Sequence, residues 1–206
     1  MPTPGWTRVV IGLAAAIWLV VAIVLKVPVD QRWLRALGAV ISVVVLLLVA
    51  FDRWMWRWPG VKRLVKRPVL LGTWKATLSS NWPGPDTGQA VLPMDTYLVI
   101  RQTYSRVSVR ALFQGSNSEH IVGDIVASTA GPPVLWFMFR SEAHALKRDG
   151  NPPRRGAAAL VVSSVPKLQM RGDYWTEGGT RGEVVTHGHS SHLYDDFGQA
   201  AEGRYA

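Results

Sequence analysis

Residues 9–51 read VVIGLAAAIWLVVAIVLKVPVDQRWLRALGAVISVVVLLLVAF, two apolar runs separated by a short polar connection. Val9 to Leu25 is 17 residues without a formal charge, and Ala36 to Phe51 is another 16. At about 1.5 Å rise per residue, each run with its flanks is long enough for a hydrocarbon core of roughly 30 Å. In such a core the backbone satisfies its own hydrogen bonds, so both runs are expected to be helices. The expectation is a transmembrane hairpin that presents everything after it on one side of a membrane.

The flanks support that reading. Trp6 and Trp18 bracket or lie within the first run, and Lys26, Pro28, Asp30 and Arg32 form the turn. After Phe51 comes Asp52-Arg53-Trp54-Met55-Trp56-Arg57-Trp58-Pro59, an alternation of Trp and Arg suited to a membrane interface. Lys62, Arg63, Lys66 and Arg67 extend it as a basic collar. Three basic residues lie in or near the turn and six follow the second run, so the positive-inside rule places both termini in the cytoplasm. The first run also resembles a signal peptide, but it is long for one and Lys26-Val27-Pro28-Val29 lacks a small-x-small cleavage pattern.

The chain has 206 residues and a net charge of +9. Residues 1–67 hold ten Lys/Arg and two Asp, a net of +8, and the remainder nets +1. The charge is therefore concentrated beside the apolar runs, where anionic lipid is the expected partner, and a basic nucleic-acid-binding face downstream loses its support. The chain contains no cysteine, which excludes disulfides, thiolate metal sites and a Cys nucleophile.

From Pro68 the apolar period changes to two. Strands are predicted over 71–78, 96–103, 106–113, 120–128, 134–140, 157–163, 168–176 and 181–186, with Gly/Pro/Ser/Asn turn chemistry between them. Eight short antiparallel strands suggest an up-and-down barrel or a sandwich, and closure has the advantage of removing edge strands. The predicted organisation is a hairpin with its Trp/Arg belt (1–58), a collar (59–67), a β-barrel (68–186) and a flexible tail (187–206).

No Gly-x-Ser-x-Gly, Walker loop, dinucleotide fingerprint or His-Glu-x-x-His is present, and no carboxylates pair as general acid and base. The expectation is a protein that is not an enzyme. His187, His189 and His192 have metal-ligand chemistry but sit in a Gly/Ser-rich tail, and a solvated tail is favoured over a metal site. Polar residues end otherwise apolar strand faces, as in Leu98-Ile100-Gln102, Leu135-Phe137-Phe139-Ser141 and Met170-Gly172-Tyr174-Thr176. That pattern fits a ligand cavity with aromatic walls, and equally a filled barrel whose polar ends reach water.

Several short elements follow one another along the strands. They are Leu71-Gly72-Thr73-Trp74, Ile100-Arg101-Gln102, Val107-x-Val109 leading to Ser116-x-Ser118, Leu135-x-Phe137-x-Phe139, Arg155-Gly156-x-x-x-Leu160, and Gly172-x-Tyr174-Trp175-Thr176 with Thr180-x-Gly182. Together with the two N-terminal runs and the collar, this order resembles the two-transmembrane, β-strand-rich effectors of cyclic-oligonucleotide-based antiphage signalling systems (CBASS) of bacteria. The resemblance implies a membrane α-helical hairpin followed by an all-β domain, an eight-stranded up-and-down, lipocalin-like barrel, in the bacterial inner membrane as a multi-pass protein. It implies an activating cyclic dinucleotide made by a partner synthase, no cofactor, ligand-induced self-association, and disruption of the membrane by the hairpins, leading to growth arrest or death. The candidate ligand-binding residues are Trp74, Gln102, Ser118, Phe139, Arg140, Arg154, Tyr174 and Thr176, which offer donors for phosphate and rings for base stacking. Two positions depart from the resembled pattern: Gly178 stands in place of an Arg, and Arg154 in place of a His. A membrane-anchored barrel that binds a lipid or other hydrophobic ligand is the alternative, and a purely structural role a third.

Overall fold

The computed structural model describes residues 12, 15, 31–65, 67–82, 92–127, 131–145 and 152–206, with the backbone alone over 31–40. The chain divides into two units, Met1–Val65 with Thr103–Ser105, and Lys66–Gln102 with Arg106–Ala206.

The first unit is helical. Helix α1 (Gln31–Arg53) is followed by a single 3-10 turn (Met55–Arg57) and by α2 (Pro59–Val65). The break has a local cause. Trp58 precedes a proline, which disfavours helical backbone there, and it is extended at φ −63° and ψ 144°. Pro59 then suits the first helical position, where no N–H is needed. On α1 the side chains of Val43, Val44, Leu46, Leu47, Leu48 and Val49 are exposed.

Among the described residues, no helix is long and apolar enough to cross a membrane. The expected membrane hairpin, and the multi-pass inner-membrane placement that depended on it, are corrected accordingly. The first apolar run, Val9 to Leu25, lies outside the described residues apart from Gly12 and Ala15. The uncharged part of α1, 36–51, is bounded by Arg35 and Asp52 and covers about 24 Å, short of a hydrocarbon core of roughly 30 Å.

The second unit is a closed barrel of eight antiparallel strands in sequence order. The strands are β1 (Gly72–Ser80), β2 (Met94–Gln102), β3 (Val107–Leu112), β4 (Ser116–Val126), β5 (Val134–Ala143), β6 (Arg154–Ser163), β7 (Gln169–Thr176) and β8 (Arg181–Ser190). The pairing of β8 with β1 closes it, leaving no strand edge open. The register shifts at Lys75/Ala76 and at His120/Val122, which are bulges of the kind that curve a sheet toward closure.

Alternation fills the two ends of the barrel differently. At the end nearer the start of β1, large side chains occupy the interior: Leu70, Trp74, Ile100, Leu135, Leu160 and Met170 are nearly or wholly buried. Toward the other end the inward positions are Ala76, Ala111 and Ala158, and then Ser80, Ser118 and Ser141. One end is packed and the other is left roomy.

The C-terminal segment differs from the flexible tail expected for 187–206. β8 continues to Ser190, and beyond it a short helix α3 (Phe197–Ala201) is capped by Asp196, whose Oδ1 accepts from the Gln199 N–H at 2.9 Å. Ala206 and His189 exchange backbone hydrogen bonds of 3.0 Å each, and the Thr73 hydroxyl donates to the His192 carbonyl at 2.7 Å. The segment covers Tyr97, Val99 and Leu112 on the outer face of β2 and β3 with Leu193, Tyr194, Phe197 and Tyr205. The unbroken apolar run Tyr97–Ile100 reflects this, since β2 is buried on both faces there.

Candidate functional site

The roomy end of the barrel holds a cavity of about 190 Å³. Its walls come from the second halves of β1, β3, β5 and β7 and the first halves of β2, β4, β6 and β8, all of which meet at that end. Small residues in the strands create it. Gly156 faces Phe139 across the β5–β6 ladder, and a Cβ there would meet the Phe139 ring at 2.6 Å. Phe139 therefore lies across bare backbone, with Phe137 6.0 Å away between ring centroids.

The lining is of three kinds. Phe113, Phe137, Phe139, Tyr174 and Trp82 supply rings, and Ser80, Ser116, Ser118, Ser141, Thr176 and Thr180 supply hydroxyls. Arg154 is the one charged residue among the described lining residues. Its Nη1 donates to Thr180 Oγ1 at 3.2 Å, and no carboxylate pairs with it among the described residues. A half-buried guanidinium with a hydroxyl partner keeps donors available for an anion. Burial pushes the Tyr174 phenol above its ordinary range, with neighbouring Ser80 acting in the opposite sense, so Tyr174 stays a neutral donor and acceptor.

The predicted residues part company here. Ser118, Phe139, Arg154, Tyr174 and Thr176 line the cavity together. The Ser118 oxygen accepts from the Ala111 N–H at 3.0 Å, and the Thr176 hydroxyl donates weakly to the Thr180 carbonyl at 3.4 Å. Trp74 and Gln102 lie at the packed end. Trp74 is buried and its indole N–H donates to the Leu70 carbonyl at 2.8 Å. The Gln102 amide clamps the chain entering β1, accepting from the Leu70 N–H at 2.7 Å and donating to the Pro68 carbonyl at 2.9 Å. Arg140 pairs in register with Glu119 and Arg155 and is exposed on the outer face.

Ser80, Ser116, Ser141, Thr96 and Thr180 were not singled out as binding residues from sequence. A signal for them exists: Ser80 follows Leu78 by two, Ser141 follows Phe139 by two, and Ser116 precedes Ser118 by two, so each extends an inward face. The three histidines also separate. His187 Nε2 is 2.7 Å from Thr77 Oγ1, His189 Nε2 is 3.0 Å from the Leu71 carbonyl, and His192 packs on Tyr194. No group of three or more His, Cys, Asp or Glu side chains is arranged for a metal ion among the described residues.

The two departures noted in sequence meet in space. A Cβ on Gly178 would lie 3.3 Å from Arg154 Cδ and Nη1, so the glycine in the β7–β8 turn leaves the room that the Arg154 side chain fills.

No family model matches the chain. A curated protein named CD-NTase-associated protein 15, from Staphylococcus schleiferi, is 22% identical over 174 residues, which is 84% of this chain and 90% of that protein. The similarity spans nearly both chains and supports the CBASS-associated resemblance at the level of the family. It leaves the ligand and the output to be argued from the chain itself.

Proposed function

We propose that the barrel is the sensor of an antiphage effector and that its cavity takes part of a cyclic dinucleotide, with the chain acting as a receptor and not as an enzyme. The observation that carries this is Arg154, a cation without a carboxylate partner among the described residues, set among aromatic rings and hydroxyls. A cyclic dinucleotide offers two phosphates for a guanidinium and two bases for stacking and hydroxyl contacts. Size refines the reading. An engineered cavity of about 150 Å³ holds one benzene ring, so about 190 Å³ suits one base-sized group. On this reading one base enters between Phe139 and Tyr174, and the sugar-phosphate ring stays at the mouth beside Arg154.

Similarity to a protein named for its association with a CD-NTase supports placing this chain beside an enzyme that makes the ligand. The output is assigned to the helical unit. Ligand favours a self-associated form by differential affinity, and self-association gathers the exposed apolar residues of α1, Val43 to Val49, against a bilayer whose disruption stops growth. No catalytic residue is required for any of these steps.

The test is thermal unfolding of the full chain against a panel of cyclic dinucleotides. A ligand at 100 times its Kd is expected to add about 2.7 kcal/mol of stability. If the whole panel at millimolar concentration leaves the melting temperature unchanged, the sensor reading fails. The walls other than Arg154 and the hydroxyls are apolar, which favours a lipid ligand as a second reading. That reading expects mass spectrometry of the purified chain to detect bound lipid, and no toxicity when a nucleotide synthase is co-expressed.

A further inference from the structure

Two features of the cavity walls bear on which base the cavity takes. The first is volume. An apolar cavity of about 150 Å³ holds benzene, which is about 25 Å³ for each heavy atom. On that scale uracil or cytosine, with eight heavy atoms, needs about 200 Å³, adenine with ten about 250 Å³ and guanine with eleven about 275 Å³. The cavity measures about 190 Å³, which matches a pyrimidine.

The second is the sense of the hydrogen bonds. Three hydroxyl oxygens on the wall already accept from the protein itself: Ser80 from the Trp82 N–H at 3.0 Å, Ser118 from the Ala111 N–H at 3.0 Å, and Thr180 from Arg154 Nη1 at 3.2 Å. A hydroxyl whose oxygen accepts is left with its O–H to donate. Ser80 directs its O–H at the Tyr174 oxygen, which leaves the Tyr174 O–H to donate in turn. Arg154 adds donors alone. No Asp, Glu, Asn or Gln is among the described lining residues, and the backbone of the walls is committed to the closed ladders. The cavity therefore presents donors in excess of acceptors.

A donor-rich wall discriminates between bases. Uracil turns two carbonyl oxygens and a single N–H outward. Cytosine, adenine and guanine each carry an exocyclic amine, whose N–H groups would face other donors and go unpaired on burial. We propose that the base seated in the cavity is uracil, so that the ligand is a cyclic dinucleotide containing at least one uridine. Resting on the sensor reading above, this narrows the ligand from a class to a composition. The two carbonyls take O–H groups of the wall, and the N–H between them takes a hydroxyl lone pair.

The test is calorimetric titration of the full-length chain with cyclic di-UMP, cyclic UMP–AMP, cyclic di-CMP, cyclic di-AMP and cyclic di-GMP. The two uridine-containing ligands are expected to bind about tenfold more tightly than the other three, or better, as when a site rejects a surplus or unpaired group. A ligand without uridine that binds as tightly as cyclic di-UMP overturns the proposal and leaves the sensor reading standing. Binding by none of the five also overturns the proposal, and the melting panel then decides whether the sensor reading falls with it. Two variants separate size from hydrogen bonding. Met94→Ala removes three heavy atoms from the wall, about 75 Å³ on the benzene scale. It is expected to bring cyclic di-AMP within about threefold of cyclic di-UMP. Tyr174→Phe keeps the ring and removes the O–H, and is expected to cut the preference for cyclic di-UMP over cyclic di-CMP by about five- to tenfold. If neither variant moves its ratio, the cavity does not read the base and the proposal fails.

Discussion

Arg154 and Gln102 are both polar residues at strand ends, and the barrel uses them in opposite ways. Gln102 satisfies two backbone groups of the entering chain at 2.7 and 2.9 Å, so its work is structural. Removing it as Gln102→Ala leaves a buried N–H and a carbonyl without partners, a loss of about 1–3 kcal/mol. Arg154 is half exposed and donates to the Thr180 hydroxyl, with no carboxylate partner among the described residues, so Arg154→Ala is expected to leave the melting temperature nearly unchanged. It should instead weaken nucleotide binding about 10- to 100-fold, the range of a charge-assisted contact worth roughly 1.5–3 kcal/mol. Calorimetric titration and thermal unfolding of both variants check the pair. If Arg154→Ala binds as wild type, the guanidinium has no part in recognition. Sequence marked Gln102 as the polar end of an apolar face and Arg154 as a departure from the resembled pattern, but alternation assigns a face and not an end. Arg140 shows the complementary error: one position from Phe139, it takes the outer face because successive side chains in a strand alternate.

At the scale of elements, the eight strands were legible because period-two alternation and turn chemistry are local properties. Their ends were less so. β4 begins at Ser116, four residues before the expected start, because Ser116 to Ser118 pair with Ser141 to Ala143 across the ladder. The C-terminal segment was the largest surprise, since its Gly, Ser and His content reads as solvated. What orders it is an apolar outer face on β2 and β3 that a single strand cannot cover alone. A chain ending at Ser190 is expected to lose several kcal/mol, because burial of each aromatic contributes about 1.5–3 kcal/mol. At about 2–4 °C per kcal/mol the melting temperature should drop by roughly 10 °C or more. An unchanged transition would show that the segment does not hold the barrel. The apolar run of α1 was equally legible as a helix, whereas its reach was not: among the described residues no helix is long and apolar enough to cross a membrane.

For the whole molecule, titration is expected to act at both pH extremes. Burial raises the phenol pKa of Tyr97, Tyr174 and Tyr205 above the ordinary 10.0. The unfolded chain then releases protons first as pH rises, so stability is complete below pH 10 and falls above it. At the acid side, burial lowers the pKa of His120 below 6.5. The unfolded chain there binds the proton first, so stability is complete above 6.5 and falls as pH drops through the lowered value. Melting temperatures across pH 4 to 11 are expected to form a plateau with both shoulders. Tyr205→Phe should soften the alkaline one and His120→Asn the acid one. A profile unchanged by both variants would mean that neither group is protected in the folded chain.

The sequence by itself determined that eight short strands form, because alternation and turn chemistry are local, and it left an up-and-down barrel and a sandwich as the ways to bury one face. The pairing of β8 with β1 decided for closure. The sequence also determined which residues share a face, because that follows from the backbone period alone. Only the tertiary structure decided which end is packed and which is open. That outcome depends on the summed volume of eight side chains at each level of the barrel, contributed by segments far apart in the chain. Trp74, Ile100 and Leu160 fill one end, while alanines and serines leave space at the other for Arg154 to border. The cover on the outer face of β2 and β3 was decided in the same way, by what the folded chain brings against it.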